Sequence, residues 1–439
     1  MNTINLRELK RYGLPTALPS VFYPLFGLII LTSILIGPIL IQEISAAYIK
    51  AKPVSGGPTL GDPNLEVEVV FKNNGQIDTP TTSMSFLGPN DILVLEKNQG
   101  TVLRIIDGKL QTDPLLKVDV GDEIEWGMLG IALAKTDSKI YAFLLYTESD
   151  HGTILGNRLY RYEFVDNKLV NPVLLLDLPA LSPHDGQENN HDGGKVVIGP
   201  DQNVYVGIGD VGGRTGQAQN NVHGSAMDGT SGILRITQNG QPVGKGILGN
   251  SVPLDIYYAY GIRNTFGFDF DPVTGNMWDT ENGSEDKDEI NLVFPGFNSG
   301  WTSVMGIAPK KFNANEDLVN FGGKGKYADP KFVWKQTIGP TALKFLNSEK
   351  LGQEYKNTMF TGDVNNGYLY NFKLDRDRTG LSLEGQLVDR IANTPSEEQK
   401  IIFGQGFGVI TDIKVSPDGY LYILGYDGTI YRIVPNSTA

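Results

Sequence analysis

No cysteine occurs among the 439 residues. Disulfides, thiolate nucleophiles and cysteine-ligated zinc or iron–sulfur centres are thereby excluded. Histidine is scarce too: His151, His184, His191 and His223 are the only four, so imidazole chemistry has few places to reside. Basic residues are outnumbered, 37 Lys and Arg against 50 Asp and Glu, for a formal charge of −13. A nucleic-acid partner, which demands a cationic surface, is disfavoured. Beyond residue 64 no long stretch carries a helical period, which argues against a helical bundle.

What is abundant points to strands. Glycine (53) and proline (24) supply many turns, and Tyr (19) and Phe (19) suit a pleated surface. The N-terminal part differs. Residues 13–42 contain no charged side chain, and residues 21–41 (VFYPLFGLIILTSILIGPILI) as a helix span about 31 Å, the thickness of a bilayer's hydrocarbon core. Pro24 and Pro38 sit near the ends of that run, where they are tolerated. Arg7, Lys10 and Arg11 precede it and Glu43 follows. The positive-inside rule then keeps residues 1–20 in the cytoplasm, makes 21–44 an anchor and exports the rest. A signal peptide cleaved near Ser45, Ala46 and Ala47 is the alternative, with the same export. Residues 45–64, rich in Pro and Gly, read as a linker.

From residue 65 to 436 one pattern recurs: a turn, an apolar strand, a second turn, then a strand of LxRI type. The clearest copies are 88–95 (GPNDILVL) with 101–105 (TVLRI), 199–208 (GPDQNVYVGI) with 232–236 (GILRI), and 416–424 (SPDGYLYIL) with 429–433 (TIYRI). Weaker copies begin at 139, 275 and 357, giving six units. Such repeats predict a six-bladed β-propeller, all-β, one sheet per unit. A stacked sandwich is the alternative fold. The alternating segment 65–71 (LEVEVVF) is expected to close the ring by pairing in the last unit.

Three stretches could carry chemistry. His191 lies in 190–194 (NHDGG), with Asp210 following in 207–213 (GIGDVGG). A histidine at a blade edge, beside glycines that admit a ligand, suits a general base, and a nearby Asp can orient it. Arg263 and Asn264 sit in 260–267 (YGIRNTFG), where a fixed guanidinium can stabilise a forming oxyanion. The acidic stretch 281–291 (ENGSEDKDEIN) reads as a loop between two strands whose oxygens suit Ca²⁺, without the spacing of an EF-hand. Each has a plainer reading as well: a hydrogen-bonded histidine, an arginine paired with an acid, and a solvated acidic loop. For His151 and His223 the plain reading is the expected one.

Taken in order with 126–133 (WGMLGIAL), 191–202 (HDGGKVVIGPDQ) and 298–301 (NSGW), these stretches resemble the glucose/sorbosone dehydrogenase family across residues 65–435. The resemblance implies a six-bladed propeller that uses pyrroloquinoline quinone (PQQ) and Ca²⁺ to oxidise the C1 hydroxyl of an aldose. It implies His191 as the base with Asp210 in support, Arg263 and Asn264 facing the quinone, and Glu125 and Asp192 on the cofactor side. It places one calcium on the backbone carbonyls of Gly283 and Ser284, and a further one at the acidic turn with Asp288 and Glu289. The chain departs from the pattern in two places. A lysine that holds the cofactor's carboxylates is replaced in the turn 361–367 (TGDVNNG) by Asn365, and an R-x-R-D sequence reads Val409-Ile410-Thr411-Asp412. Lys195, Lys310, Lys311, Lys324 and Lys326 are the candidates to compensate.

The expected function is an extracytoplasmic aldose dehydrogenase that acts on a small sugar and passes electrons to a membrane-associated acceptor. A non-enzymatic cell-surface binding propeller is the alternative; a different cofactor or a hydrolytic reaction has no specific support. Sequons at Asn282 and Asn436 mark possible glycosylation in an exported domain.

Overall fold

The computed structural model describes residues 56–136, 138–184 and 187–437. The cytoplasmic and anchor segments expected at 1–20 and 21–44 lie outside the described residues, as does much of the linker. Among the described residues no helix is long and apolar enough to cross a membrane.

The strands form six sheets. Their first strands, in chain order, are Thr81–Gly88, Met128–Lys135, Val196–Ile198, Gly267–Phe270, Pro340–Phe345 and Ile410–Val415. Each is followed by an antiparallel neighbour, as the turn–strand–turn pattern requires. The second strands have both of their faces covered, whether they are apolar runs such as Val204–Ile208 or carry acids, as Met277–Glu281 does. Val204–Ile208, Met277–Glu281, Met359–Asp363 and Leu421–Gly425 are buried at every residue.

Six hydrophobic clusters lie one between each pair of consecutive sheets, and one of them joins the sixth sheet to the first, which makes the fold a propeller. In that joining cluster Tyr422 meets Phe86 edge-on, ring centres 5.0 Å apart. The expected closing strand is present: Leu65–Phe71 pairs antiparallel with Ile430–Pro435, with Leu65 opposite Pro435. Described helix is confined to short inserts, Ala314–Asp317, Pro395–Glu398 and two 3-10 turns.

In an antiparallel pair the start of the first strand and the end of the second share one edge. Repeated six times, this gathers the segments before each first strand and after each second strand at one end of the axis. His191, Glu125 and Arg263 precede first strands, Thr411 lies at the start of one, and Asp210 and Glu281 follow or end second strands. The fold thus brings together residues far apart in sequence.

Candidate functional site

His191 holds a left-handed backbone conformation, φ 63°, uncommon outside glycine though tolerated by His and Asn. Its Nδ1 lies 2.6 Å from Asp210 Oδ1, with the imidazole 14% exposed and the carboxylate 1%. The Trp301 indole donates to the other oxygen, Asp210 Oδ2, at 2.7 Å. Asp210 is therefore fixed from both sides and in turn fixes the histidine. An ionised Asp210 accepts the Nδ1 proton, which leaves Nε2 as the basic nitrogen. The other histidines, His151, His184 and His223, are exposed on the surface.

Arg263 stands beside this pair. Its guanidinium lies 5.5 Å from the Trp301 ring centre and donates to the carbonyls of Asn282 and Gly283 at 3.1 and 2.8 Å. Its own carbonyl accepts from the Asp210 amide. Gly209 allows the segments to meet. A Cβ there would lie 2.4 Å from the His191 carbonyl oxygen and 2.6 Å from that of Arg263, a clash with fixed backbone.

Glu125, Asp192 and Asn264 form a second group. Glu125 accepts from the Asp192 amide at 3.0 Å and from the Asn264 side chain at 3.3 Å. Asp192 is fully buried. Asn157 donates to its Oδ1 at 2.7 Å, while Oδ2 has no partner. Burial, and then the nearby Glu125 charge, push its carboxyl up to about 8. Asn264 Oδ1 is likewise buried without a partner. Lys97, which sequence reading passed over, is buried beside these acids, and desolvation brings its ammonium down to about 8 against the pull of Glu125.

Asp192 yields a sign-specific prediction. Its folded carboxyl titrates far above the unfolded value, so the folded chain binds the extra proton and an ionisable group here opposes folding increasingly between about pH 4 and 8. Asp192→Asn should raise stability by on the order of 2 kcal/mol at pH 8 and leave it unchanged below pH 4. Melting midpoints of both proteins across that range measure it, and equal midpoints at pH 8 would remove the assignment.

The acidic stretch is a loop only at residues 282–285; its other acids belong to the hairpin of Met277–Glu281 with Asp286–Val293, Asp279 facing Asn291 and Glu281 facing Glu289. Alternation puts all four side chains on one buried face. Both oxygens of Asp279 and the Oδ1 of Asn291 have no partner. Burial and the Glu281 charge hold Asp279 and Glu289 well above the carboxylate range, while burial takes Glu281 to about 7 despite the amide of Arg263 and the hydroxyl of Ser299. Asp288, by contrast, faces the other way. Its oxygens accept the backbone amides of Gly283 at 2.7 Å and of Ile338 and Gly339 at 2.6 and 2.8 Å, which pins the turn. Ser284 is exposed, and the Gly283 carbonyl already accepts from Arg263. Among the described residues no three His, Cys, Asp or Glu side chains are arranged as a ready metal site.

The positions that depart from the family pattern are turned inward. Asn365 donates to the Thr337 carbonyl at 3.1 Å, Thr411 to that of Leu424 at 3.3 Å, and Val409 is buried. Of the compensating lysines, Lys195 is paired with Asp412 at 2.7 Å and Lys324 donates to the Leu248 carbonyl, while Lys310, Lys311 and Lys326 are exposed. The Asn282 amide lies against the carbonyls of Pro340 and Asn264, an inward position for a sequon.

Residues 77–432 match the profile of the family described as glucose/sorbosone dehydrogenase. Among characterised proteins, the aldose sugar dehydrogenase YliI of Escherichia coli is 25% identical over 387 residues, covering 85% of this chain and 94% of that protein. The quinoprotein glucose dehydrogenase B of Acinetobacter calcoaceticus is 31% identical over 247 residues, about half of each chain. The PQQ-bound aldose sugar dehydrogenase structure from Streptomyces coelicolor superimposes with a TM-score of 0.61 at 20% identity, covering 85% of this chain and 99% of that one, a likeness of fold.

Proposed function

The chain belongs to the glucose/sorbosone dehydrogenase family, and from that premise we propose that it oxidises the C1 hydroxyl of an aldose on the outer side of a membrane. The observation that carries this reading is the His191–Asp210–Trp301 line beside Arg263. His191 Nε2 takes the hydroxyl proton. Asp210 stabilises the imidazolium that results, held in place by the Trp301 indole. Arg263 presents a fixed positive charge where negative charge collects on reduction. Bound PQQ supplies the two-electron acceptor for the C1 hydride.

The residues fit the reacting end of such a group in one respect: Arg263 is the donor available to its carbonyl oxygens, while the buried, unpartnered Oδ1 of Asn264 is an acceptor suited to the sugar's hydroxyl. Glu125 and Asp192 complete that wall. For calcium, the buried face of Asp279, Glu281, Glu289 and Asn291 is the better-supported holder, because its orphaned oxygens lack any counter-charge. The Gly283 carbonyl, which accepts one hydrogen bond from Arg263, keeps a second lone pair for a cation. Export through residues 21–44, and delivery of electrons to an acceptor in the same membrane, complete the reading.

One observation favours a second reading, a cell-surface binding propeller without the quinone. Asn365, Val409 and Thr411 give the three carboxylates of PQQ no cation, and each missing charge-assisted contact is worth roughly 1.5–3 kcal/mol. Titration of the full-length protein with PQQ, with and without Ca²⁺, separates the two. Stoichiometric binding at about micromolar affinity or better, followed by aldose-driven dye reduction, supports the dehydrogenase. Absence of binding at tens of micromolar, roughly −6 kcal/mol, leaves the binding propeller.

A further inference from the structure

Below the site, on the propeller axis, lies a cavity of about 170 Å³ to which all six first-strand segments contribute. Its accessible wall is more polar than apolar, and it is lined by three lysines, Lys195, Lys344 and Lys414, with Asp269 and Ser85. Asp412 lies against the wall and is 1% exposed. Lys344 pairs with Asp269 at 2.9 Å and Lys195 with Asp412 at 2.7 Å. Lys414 has only the longer approach to Asp412, 3.5 Å.

Asp412 has little left to offer it. Its Oδ1 already accepts from Lys195 and from the Ile413 amide, and its Oδ2 from the Ser83 hydroxyl and the Met84 amide. A carboxylate presents about four lone-pair sites, and all four are taken. Three cations therefore meet two anions, and the uncompensated one is a lysine that makes no hydrogen bond among the described residues. A largely buried ammonium such as that of Lys414, 17% exposed and without a hydrogen-bonded carboxylate, is costly unless it sheds its proton or gains a counter-ion.

We infer that the axial cavity is a binding site for a small inorganic monoanion of the halide class, chloride foremost, held by Lys414 with Lys195 and Lys344. The excess charge is one, which matches a monoanion, and the cavity accommodates an ion with several waters. This site is independent of the redox reading, because none of its lysines touches the His191 group.

The pH dependence follows from the groups that face Lys414, namely Asp412, Lys195, Lys344 and Asp269. Burial lowers the Lys414 ammonium to about 8, opposed chiefly by Asp412. The ammonium is present below that pH and lost above it, so the anion binds at neutral pH and leaves as pH rises past about 8 to 9.

The test is the melting midpoint of the full-length protein as chloride replaces gluconate between roughly 1 and 100 mM at fixed ionic strength, pH 7. A rise of about 1–3 °C is expected, absent at pH 10, absent in Lys414→Met and retained in Lys414→Arg. Should Lys414→Met fail to fold, ³⁵Cl line broadening by the wild-type protein at pH 7, relieved at pH 10, supplies the same answer. Equal midpoints in chloride and gluconate, or a chloride-dependent rise that survives in Lys414→Met, would overturn the assignment.

Discussion

His191→Asn is expected to lower aldose-driven dye reduction by about 10²–10⁴-fold, the usual contribution of a positioned general base. Asparagine is the right replacement because position 191 has φ 63°, which Asn tolerates and Ala does not. The variant should therefore keep its melting midpoint, and the loss should appear in kcat with KM little changed, since the imidazole acts on a proton in flight. Trp301→Phe, which removes the indole that anchors Asp210 but not His191 itself, should fall between the two proteins. Turnover in His191→Asn equal to that of the parent would eliminate the base assignment, and with it the main support for a dehydrogenase.

Asp412→Ala should destabilise the propeller by about 3–5 kcal/mol, because it takes from buried Lys195 its hydrogen-bonded carboxylate and from Lys414 its one, longer, ion-pair approach. Burial alone would raise the Asp412 carboxyl; the Lys195 and Lys414 ammoniums bring it down to about 2. The sign of the pH effect follows. A carboxyl with a depressed folded pKa stabilises above its unfolded value, near 4, and loses that stabilisation as pH falls towards 2. Chemical denaturation at pH 7 should thus separate the variant from the parent widely, and at pH 2 hardly at all. A gap below about 1 kcal/mol at pH 7 would mean that the lysines are neutral or already compensated, contrary to the charge count.

Much of the propeller can be read from the chain because its information is local. The clearest units announce themselves by a turn such as 199–202 (GPDQ) and a following apolar run, VYVGI at 204–208, whose two buried faces leave no polar alternation to confuse with a surface strand. Ring closure by residues 65–71 was legible for the same reason: a strand with alternating pattern and no partner of its own needs one elsewhere. The candidate site divides differently. His191 and Asp210 stand at the edges of adjacent strands, so a glycine-rich spacing of nineteen residues was enough to suggest their meeting. Lys97 could not be found that way, since it reaches Glu125 and Asp192 only once separate sheets have docked. The acidic stretch was legible only in part. Its density suggested a solvent loop, whereas Asp279-x-Glu281 opposite Glu289-x-Asn291 is the period of two paired strands, and the pairing register decides that all four face inward. The inward turn of Asn365 and Thr411 could not be read from the sequence at all.

The pairing of Leu65–Phe71 with Ile430–Pro435 also sets a timetable. The two partners are among the first and last parts of the propeller to be made, and the Asn436 amide donates to the Asn64 carbonyl at 2.7 Å where they meet. Contacts of such long sequence separation form late and slowly. Until the final strand is delivered, Leu65–Phe71 at the outer edge of the sixth sheet has nothing to pair with and the joining core around Tyr422 and Phe86 is incomplete. A chain threaded through a membrane from its N-terminal side would have to keep five finished sheets and one exposed edge from aggregating while the last strand arrives. Truncation of even the last strand therefore leaves an open ring rather than a slightly smaller one.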